Sequence, residues 1–260
     1  MHTRLIYLLF MLLLTPSLLN AEQPTTASDS SKPSAHASTN AGTSTAASAI
    51  TKKITHDPYQ VIVAATEELS ALVKSAQLYY EEEPERYFQA IAQWADPLID
   101  FPSFTRSVMG DYGTRAYYQS LTDEQKAQFK TDYRDFVTTF KNGLISTYAK
   151  GLLAFHGQKI DVLPLTEEQQ ANAKANKPVD VKQTIQGKQK LYTVTYKMSP
   201  NKEGKWLLRN VQIDSVNVGQ LYRQQFVASM QRHEQDFSKV IANWVIDAKG
   251  MDDEVAQPQE

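Results

Sequence analysis

Two carboxylates and four tyrosines are the residues of this chain best placed to do chemistry. Asp161 and Asp214 fall on or beside segments that alternate with period two, where a side chain can turn inward. Tyr133, Tyr148, Tyr192 and Tyr196 stand on apolar stripes. A carboxylate sharing an apolar pocket with a tyrosine can transfer protons, the chemistry of an isomerase-like enzyme. The other reading leaves the carboxylates in water at strand edges. The tyrosines then line an amphipathic cavity, each with its hydroxyl toward a polar rim. No Gly-x-Ser-x-Gly elbow, His-Glu-x-x-His zinc helix, Gly-x-Gly-x-x-Gly turn or phosphate-binding P-loop is present. His2, His36, His56, His156 and His233 show no ligand-like spacing, so neither a metal nor a cofactor is expected. Cysteine is absent, which excludes disulfides, thiolate metal sites, a cysteine nucleophile and a lipid-attachment cysteine.

The elements that must position these residues begin with the stretch from Thr122 to Phe155. Phe129, Tyr133, Phe136, Val137, Phe140, Leu144, Tyr148 and Leu152 recur at steps of three and four, the period of one helical face. Thr122 and Gln125 make a capping box, and Asp123 and Glu124 suit the positive end of the helix dipole. A stripe half aromatic calls for a large apolar surface opposite, either a sheet or something the protein carries. Upstream, Asp57-Pro58 starts a helix with Val61, Ile62, Ala65, Leu69, Leu72 and Val73 inward. Glu81-Glu82-Glu83-Pro84 interrupts it, and Tyr87, Phe88, Ile91 and Trp94 follow on a second helix. Asp96-Pro97, Phe101-Pro102 and the Gly110-to-Gly113 bend predict short, bent helices, making four helices before any strand.

Beyond the long helix the period changes to two. Segments 157–163, 178–185, 191–198 and 206–213 read as strands, the last three joined by turn chemistry at Gln186-Gly187-Lys188 and at 200–204. The polar insert 166–177 reads as a surface helix or loop. Asn217 then caps a helix with Val218, Leu221, Tyr222, Phe226 and Met230 inward, and a last segment carries Phe237, Val240, Ile241, Trp244 and Val245. This order predicts an α+β fold in which a twisted antiparallel sheet of about four strands packs against several helices.

With 260 residues, 42% hydrophobic, and a net charge of -2, the chain supports one or two domains and lacks the basic balance of a nucleic-acid binder. Residues 1–21 have the pattern of a secretory signal, with Arg4 before an apolar run from Leu5 to Leu14 and Ala21 as a cleavage point. Residues 22–55, rich in Ser, Thr, Ala and Pro, are too polar to offset the entropy of ordering them and read as a disordered linker. The expected domain spans residues 56–248, followed by a frayed acidic tail over 249–260.

Several runs in order resemble the MlaC (toluene-tolerance) family. They are Met109-Gly110-Asp111-Tyr112 with Tyr117-Tyr118, Leu121 through Phe129, Tyr133-Arg134-Asp135-Phe136, Tyr148-Ala149-Lys150-Gly151-Leu152, and Trp206 followed by Tyr222-Arg223-Gln224-Gln225-Phe226. Together they cover roughly residues 57 to 246. The family's Gly-Val-Ser before the last helix is Ser215-Val216-Asn217 here, where Asn217 can cap as serine would. The resemblance implies a monomeric periplasmic carrier with phospholipid as cargo. It would move lipid between an outer-membrane lipoprotein complex and an inner-membrane ABC transporter bearing a ring of MCE domains, and so maintain outer-membrane lipid asymmetry. A binder of another hydrophobic ligand stays open beside the isomerase-like reading.

A lipid carrier must hide its cargo's tails, because at about 0.8 kcal/mol per methylene, thirty methylenes would cost roughly 24 kcal/mol in water. The expected site is an apolar cavity between sheet and helices. Its helical lining would be Val108, Phe136, Phe140, Leu144, Tyr148, Val218 and Tyr222. From the strands and their last turn would come Val181, Tyr192, Val194, Tyr196, Leu208 and Val216. Release requires a wall that moves, for which the Gly110-to-Gly113 bend and the 215–219 turn are candidates. Arg223 reads as either an interior ion-pair member or a headgroup contact.

Overall fold

The computed structural model describes residues 57–153, 157–187 and 190–246. The expected signal, linker and acidic tail lie outside the described residues, as do His2, His36, His56, Phe155, His156 and Lys188.

Helix α1 (Pro58–Ala76) starts at Asp57, whose carboxylate accepts from the backbone N–H groups of Tyr59 and Gln60 at 2.9 and 3.4 Å. Pro58 occupies the first turn, where its missing N–H leaves no bond unmade. Helix α2 (Pro84–Ala95) begins at a proline in the same way. The bent region that follows resolves into α3 (Phe101–Val108), a 3-10 turn (Gly110–Gly113) and α4 (Arg115–Ser120). Among the described residues five α-helices therefore precede the first strand instead of four, because the turn splits this region into two short helices. Gly113 is required there, since a Cβ would come within 2.2 Å of the Arg106 carbonyl oxygen.

Helix α5 (Asp123–Leu152) has both halves of its capping box, Gln125 N–H to the Thr122 hydroxyl and Thr122 N–H to the Gln125 side chain. Its 30 residues run about 45 Å at 1.5 Å per residue, long enough to serve two different packing regions. The strands are β1 (Ile160–Val162), β2 (Val179–Gln186), β3 (Leu191–Pro200), β4 (Trp206–Ile213) and β5 (Val216–Asn217). They form one antiparallel sheet in sequence order. The polar insert becomes α6 (Glu167–Lys174), with its own Thr166–Gln169 capping box.

The two-residue β5 adds to the four strands read from the sequence, since a tight turn folds the chain back on β4. Asp214 makes that turn without glycine, taking φ 51°. Its carboxylate accepts from Thr193 N–H and Lys190 Nζ, both at 2.9 Å, and so holds the left-handed backbone in place. Helices α7 (Val218–Arg232) and α8 (Phe237–Ala242) complete the domain. Of the last apolar residues, Trp244 packs inward while Val245 is 76% exposed.

The architecture is α+β, with the inward row of the sheet facing α1, α3, α5 and α7. Register aligns Val181 with Tyr196 and Tyr196 with Val211, then Val194 with Ile213, so one face is continuous across three strands. Three apolar clusters hold the fold. Phe136, Phe140, Tyr222 and Phe226 centre the first, between α5 and α7. Ile62, Val181, Met198 and Trp206 centre the second, between α1 and the sheet. Tyr87 and Ile91 of α2 with Ala149 of α5 make the third.

Candidate functional site

These clusters do not close on one another. Between them lies a cavity of about 290 Å³, near the lower end of the range for small-ligand pockets, about 300–1,000 Å³. Helix α1 supplies Ile62, Ala65, Leu69 and Val73, and α2 with the segment after it supplies Ile91, Trp94, Leu98 and Ile99. Phe101 and Phe104 enter from α3, and Leu144, Ile145, Tyr148 and Leu152 from the C-terminal half of α5. The sheet closes the far side with Ile185, Val194, Tyr196, Leu208, Val211 and Ile213, and Val218 comes from α7. No lining residue carries a charge.

Local structure holds this wall in place. Trp94 Nε1 donates to the Ala65 carbonyl at 3.2 Å, fixing α2 to α1. The segment between α2 and α3 is stitched to β4 by Asp100 N–H to the Leu208 carbonyl and Leu208 N–H to the Leu98 carbonyl, both 2.9 Å. Asp100 caps α3 through Ser103 N–H and pairs with Arg209 at 3.1 Å. The tyrosine hydroxyls on the wall are taken up by side-chain partners: Tyr148 bonds with Tyr222, and Tyr196 donates to Gln183 Oε1 at 2.8 Å. Burial pushes the Tyr148 hydroxyl up to about 12, against a smaller lowering by Tyr222, and raises Tyr196 further still.

Leu144, Tyr148, Val194, Tyr196, Leu208 and Val218 are brought together on the cavity wall. Val108, Phe136, Phe140, Val216 and Tyr222 are instead enclosed in the cluster between α5 and α7, and Val181 in the cluster beneath α1. Phe136 and Phe140 are removed from the wall by aromatic neighbours, Phe226 at 5.2 Å from Phe136 and Tyr222 at 5.6 Å from Phe140. Tyr192 sits at the β2–β3 turn with Lys190 over its ring, 4.6 Å away. The α1 and α2 residues of the wall were inward in the sequence pattern but not assigned to the site. Thr66, Ser70 and Gln183, its polar members apart from the tyrosines, gave no such signal.

The carboxylates proposed for proton transfer are elsewhere. Asp161 is exposed and pairs with Lys159, and Asp214 holds its turn, so neither meets a tyrosine in the cavity. Arg223 is also away from the wall, donating from Nε and a terminal nitrogen to the carbonyl and hydroxyl of Ser107 at 2.9 and 3.2 Å. It is exposed, which removes the interior ion-pair reading, and it lies off the wall of this cavity.

Two larger depressions lie on the outside. One, about 830 Å³, is lined by Arg106, Lys197, Arg209 and Arg223, and the other, about 570 Å³, by Arg106, Arg115 and Lys130. Charged side chains border both, whereas the smaller cavity is lined without charge and almost wholly by hydrocarbon, as a site for a hydrophobic ligand is. No group of three His, Asp or Glu side chains suited to a metal exists among the described residues. No helix among them is long and apolar enough to cross a membrane.

A solved structure with the same fold is a phospholipid-binding protein from Ralstonia solanacearum, determined in complex with a phospholipid. It matches with a TM-score of 0.51 and 18% identity, over 72% of this chain and 97% of the other. The toluene tolerance protein ttg2D of Pseudomonas putida is 30% identical over 188 residues, 72% of this chain and 79% of its own length. The family model described as MlaC protein matches residues 64–245, which include α2 to α8, all five strands and most of α1. The chain belongs to the MlaC family.

Proposed function

We propose that this protein is a phospholipid carrier that buries acyl tails between its sheet and helices and leaves the headgroup in solvent. The observation that carries the reading is the uncharged apolar cavity, whose one exposed lining residue is Ser70 of α1. Membership in the MlaC family and the phospholipid held by the structural neighbour support it. The cavity is at the small end for such cargo, so accepting two chains calls for α1 to move away from the sheet. The pattern of residues 1–21 and the family resemblance support a periplasmic carrier. On this reading it moves phospholipid between an outer-membrane lipoprotein complex and an inner-membrane transporter with MCE domains, and so preserves outer-membrane asymmetry. It acts as a monomer and without a cofactor.

The test is native mass spectrometry of freshly purified protein, followed by organic extraction. A mass increment that extracts as phospholipid at near one molecule per chain is expected. A chain that carries no extractable lipid, and takes none up from phospholipid vesicles, overturns the reading.

A further inference from the structure

The inward row of β2 reads Val179, Val181, Gln183, Ile185, so a carboxamide stands where the pattern of the sheet calls for a hydrocarbon. Gln183 is 3% exposed, and a buried amide group left without partners costs about 1–3 kcal/mol. Its bonds are directional. The Thr66 hydroxyl donates to the Ile62 carbonyl at 2.7 Å, so it can only accept from Gln183, whose Nε2 lies 2.6 Å away. The opposite end of the amide, Oε1, accepts from Tyr196 at 2.8 Å. One Nε2 hydrogen remains, and it has no protein acceptor among the described residues.

The position of this donor is informative. Thr66 is half-buried, and Ser70, one turn further along α1, is exposed although it also lines the cavity. Across from them Ile160 and Ile185 are half-buried on β1 and β2. Ser70 is the one exposed residue of the lining, which points to a solvent side between α1 and the sheet edge, and Gln183, bonded to Thr66 one turn away, lies on that side of the dry interior. In a phospholipid the ester linkages occupy the boundary between tails and headgroup.

We propose that the Gln183 carboxamide donates its remaining hydrogen to an ester carbonyl of the bound lipid, with Thr66 and Tyr196 as positioning residues. The cavity then discriminates ester-linked acyl chains from ether-linked chains of equal length. This rests on the phospholipid-carrier reading and names the part of the cargo that the site reads. An ether oxygen, a weaker acceptor with no carbonyl projecting from it, leaves the buried donor unmatched.

The experiment offers the full chain vesicles containing equal amounts of a diacyl phospholipid and its dialkyl-ether analogue, with the same headgroup and chain length. The bound ratio is read by extraction and mass spectrometry. Wild type is expected to favour the ester by about three- to tenfold, the range of one neutral hydrogen bond. Gln183→Met brings the ratio close to one, and Thr66→Val, which removes the partner that aims the amide, lowers it partway. A ratio resists the general loss of binding that a merely structural defect would cause, because both lipids would fall together. Equal binding by wild type, or an undiminished preference in Gln183→Met, overturns the proposal. Should Gln183→Met not fold, the wild-type ratio and Thr66→Val decide. If wild type takes up neither lipid, the carrier reading itself has failed.

Discussion

Tyr148 and Phe140 lie on one stripe of one helix, two turns apart, and have different neighbours. Phe140 is enclosed by Phe104, Tyr222 and Trp244, while Tyr148 presents its ring to the cavity and its hydroxyl to Tyr222. That contrast gives a paired prediction. Leu144→Trp, which places a large ring in the cavity, reduces co-purified lipid by about fivefold or more, equivalent to about 1 kcal/mol of binding, while the protein stays folded. Phe136→Ala, in the filled cluster, costs about 3–5 kcal/mol of stability, measured by denaturant titration.

The buried hydroxyls make a second residue-scale prediction, in alkali. Tyr148 and Tyr196 hold their protons more tightly in the fold than in the unfolded chain, because burial penalises the phenolate. A raised folded-state value means that their contribution is complete below pH 10 and is lost as pH rises toward the folded value, about 12 for Tyr148. Each contributes a fall of about 1.4 kcal/mol per pH unit through that window. Stability measured between pH 10 and 12 should drop steeply in wild type and less steeply in Tyr148→Phe, which retains the ring and loses the titrating group.

At the scale of elements, the start of α7 depends on a pair of asparagines. Asn217 caps the helix through Gln220 N–H at 3.1 Å and accepts from Asn210 Nδ2 at 2.8 Å. Asn210 Oδ1 in turn accepts from Gly219 N–H at 2.9 Å, and a Cβ on Gly219 would come within 2.8 Å of that oxygen. The cap ties α7 to β4 as well as starting the helix, so Asn217→Ala should cost about 1–2 kcal/mol, at the upper end for such caps. Chemical denaturation is the check, and a loss below a few tenths of a kcal/mol would show that water replaces the cap. Asp214 solves a related problem. The turn has serine at 215, and its left-handed residue is an aspartate whose carboxylate is anchored to β3.

Over the whole molecule, the cavity is a shared surface of three clusters, none of which needs it in order to pack. On the carrier reading, bound lipid therefore adds stability by mass action on the folded state alone. Stripping lipid from the purified protein should lower its melting temperature by several degrees, as a loss of about 1–3 kcal/mol does in a domain of this size. Backbone amides of α1, the movable wall on this reading, should then exchange faster than those of α5. Unchanged melting after complete extraction would count against a lipid that fills the cavity.

The sequence by itself determined what depends on neighbours close along the chain. The caps at Asp57, Thr122 and Asn217, the aromatic stripe of α5 and the alternation of β2 to β4 all follow from side chains within one turn or one strand. The ordered family motifs could likewise be read there. Other matters rested on the tertiary structure, because periodicity assigns a direction to a side chain and not a distance to what it faces. Leu144 and Tyr148 reached the cavity while Phe136 and Phe140 met Trp244 and Phe226, which lie about ninety residues or more away in the chain. Gln183 and Thr66 were invisible for the same reason. A polar residue on an inward row looks like an error of pattern until the fold brings Tyr196 to one end of the amide and α1 to the other.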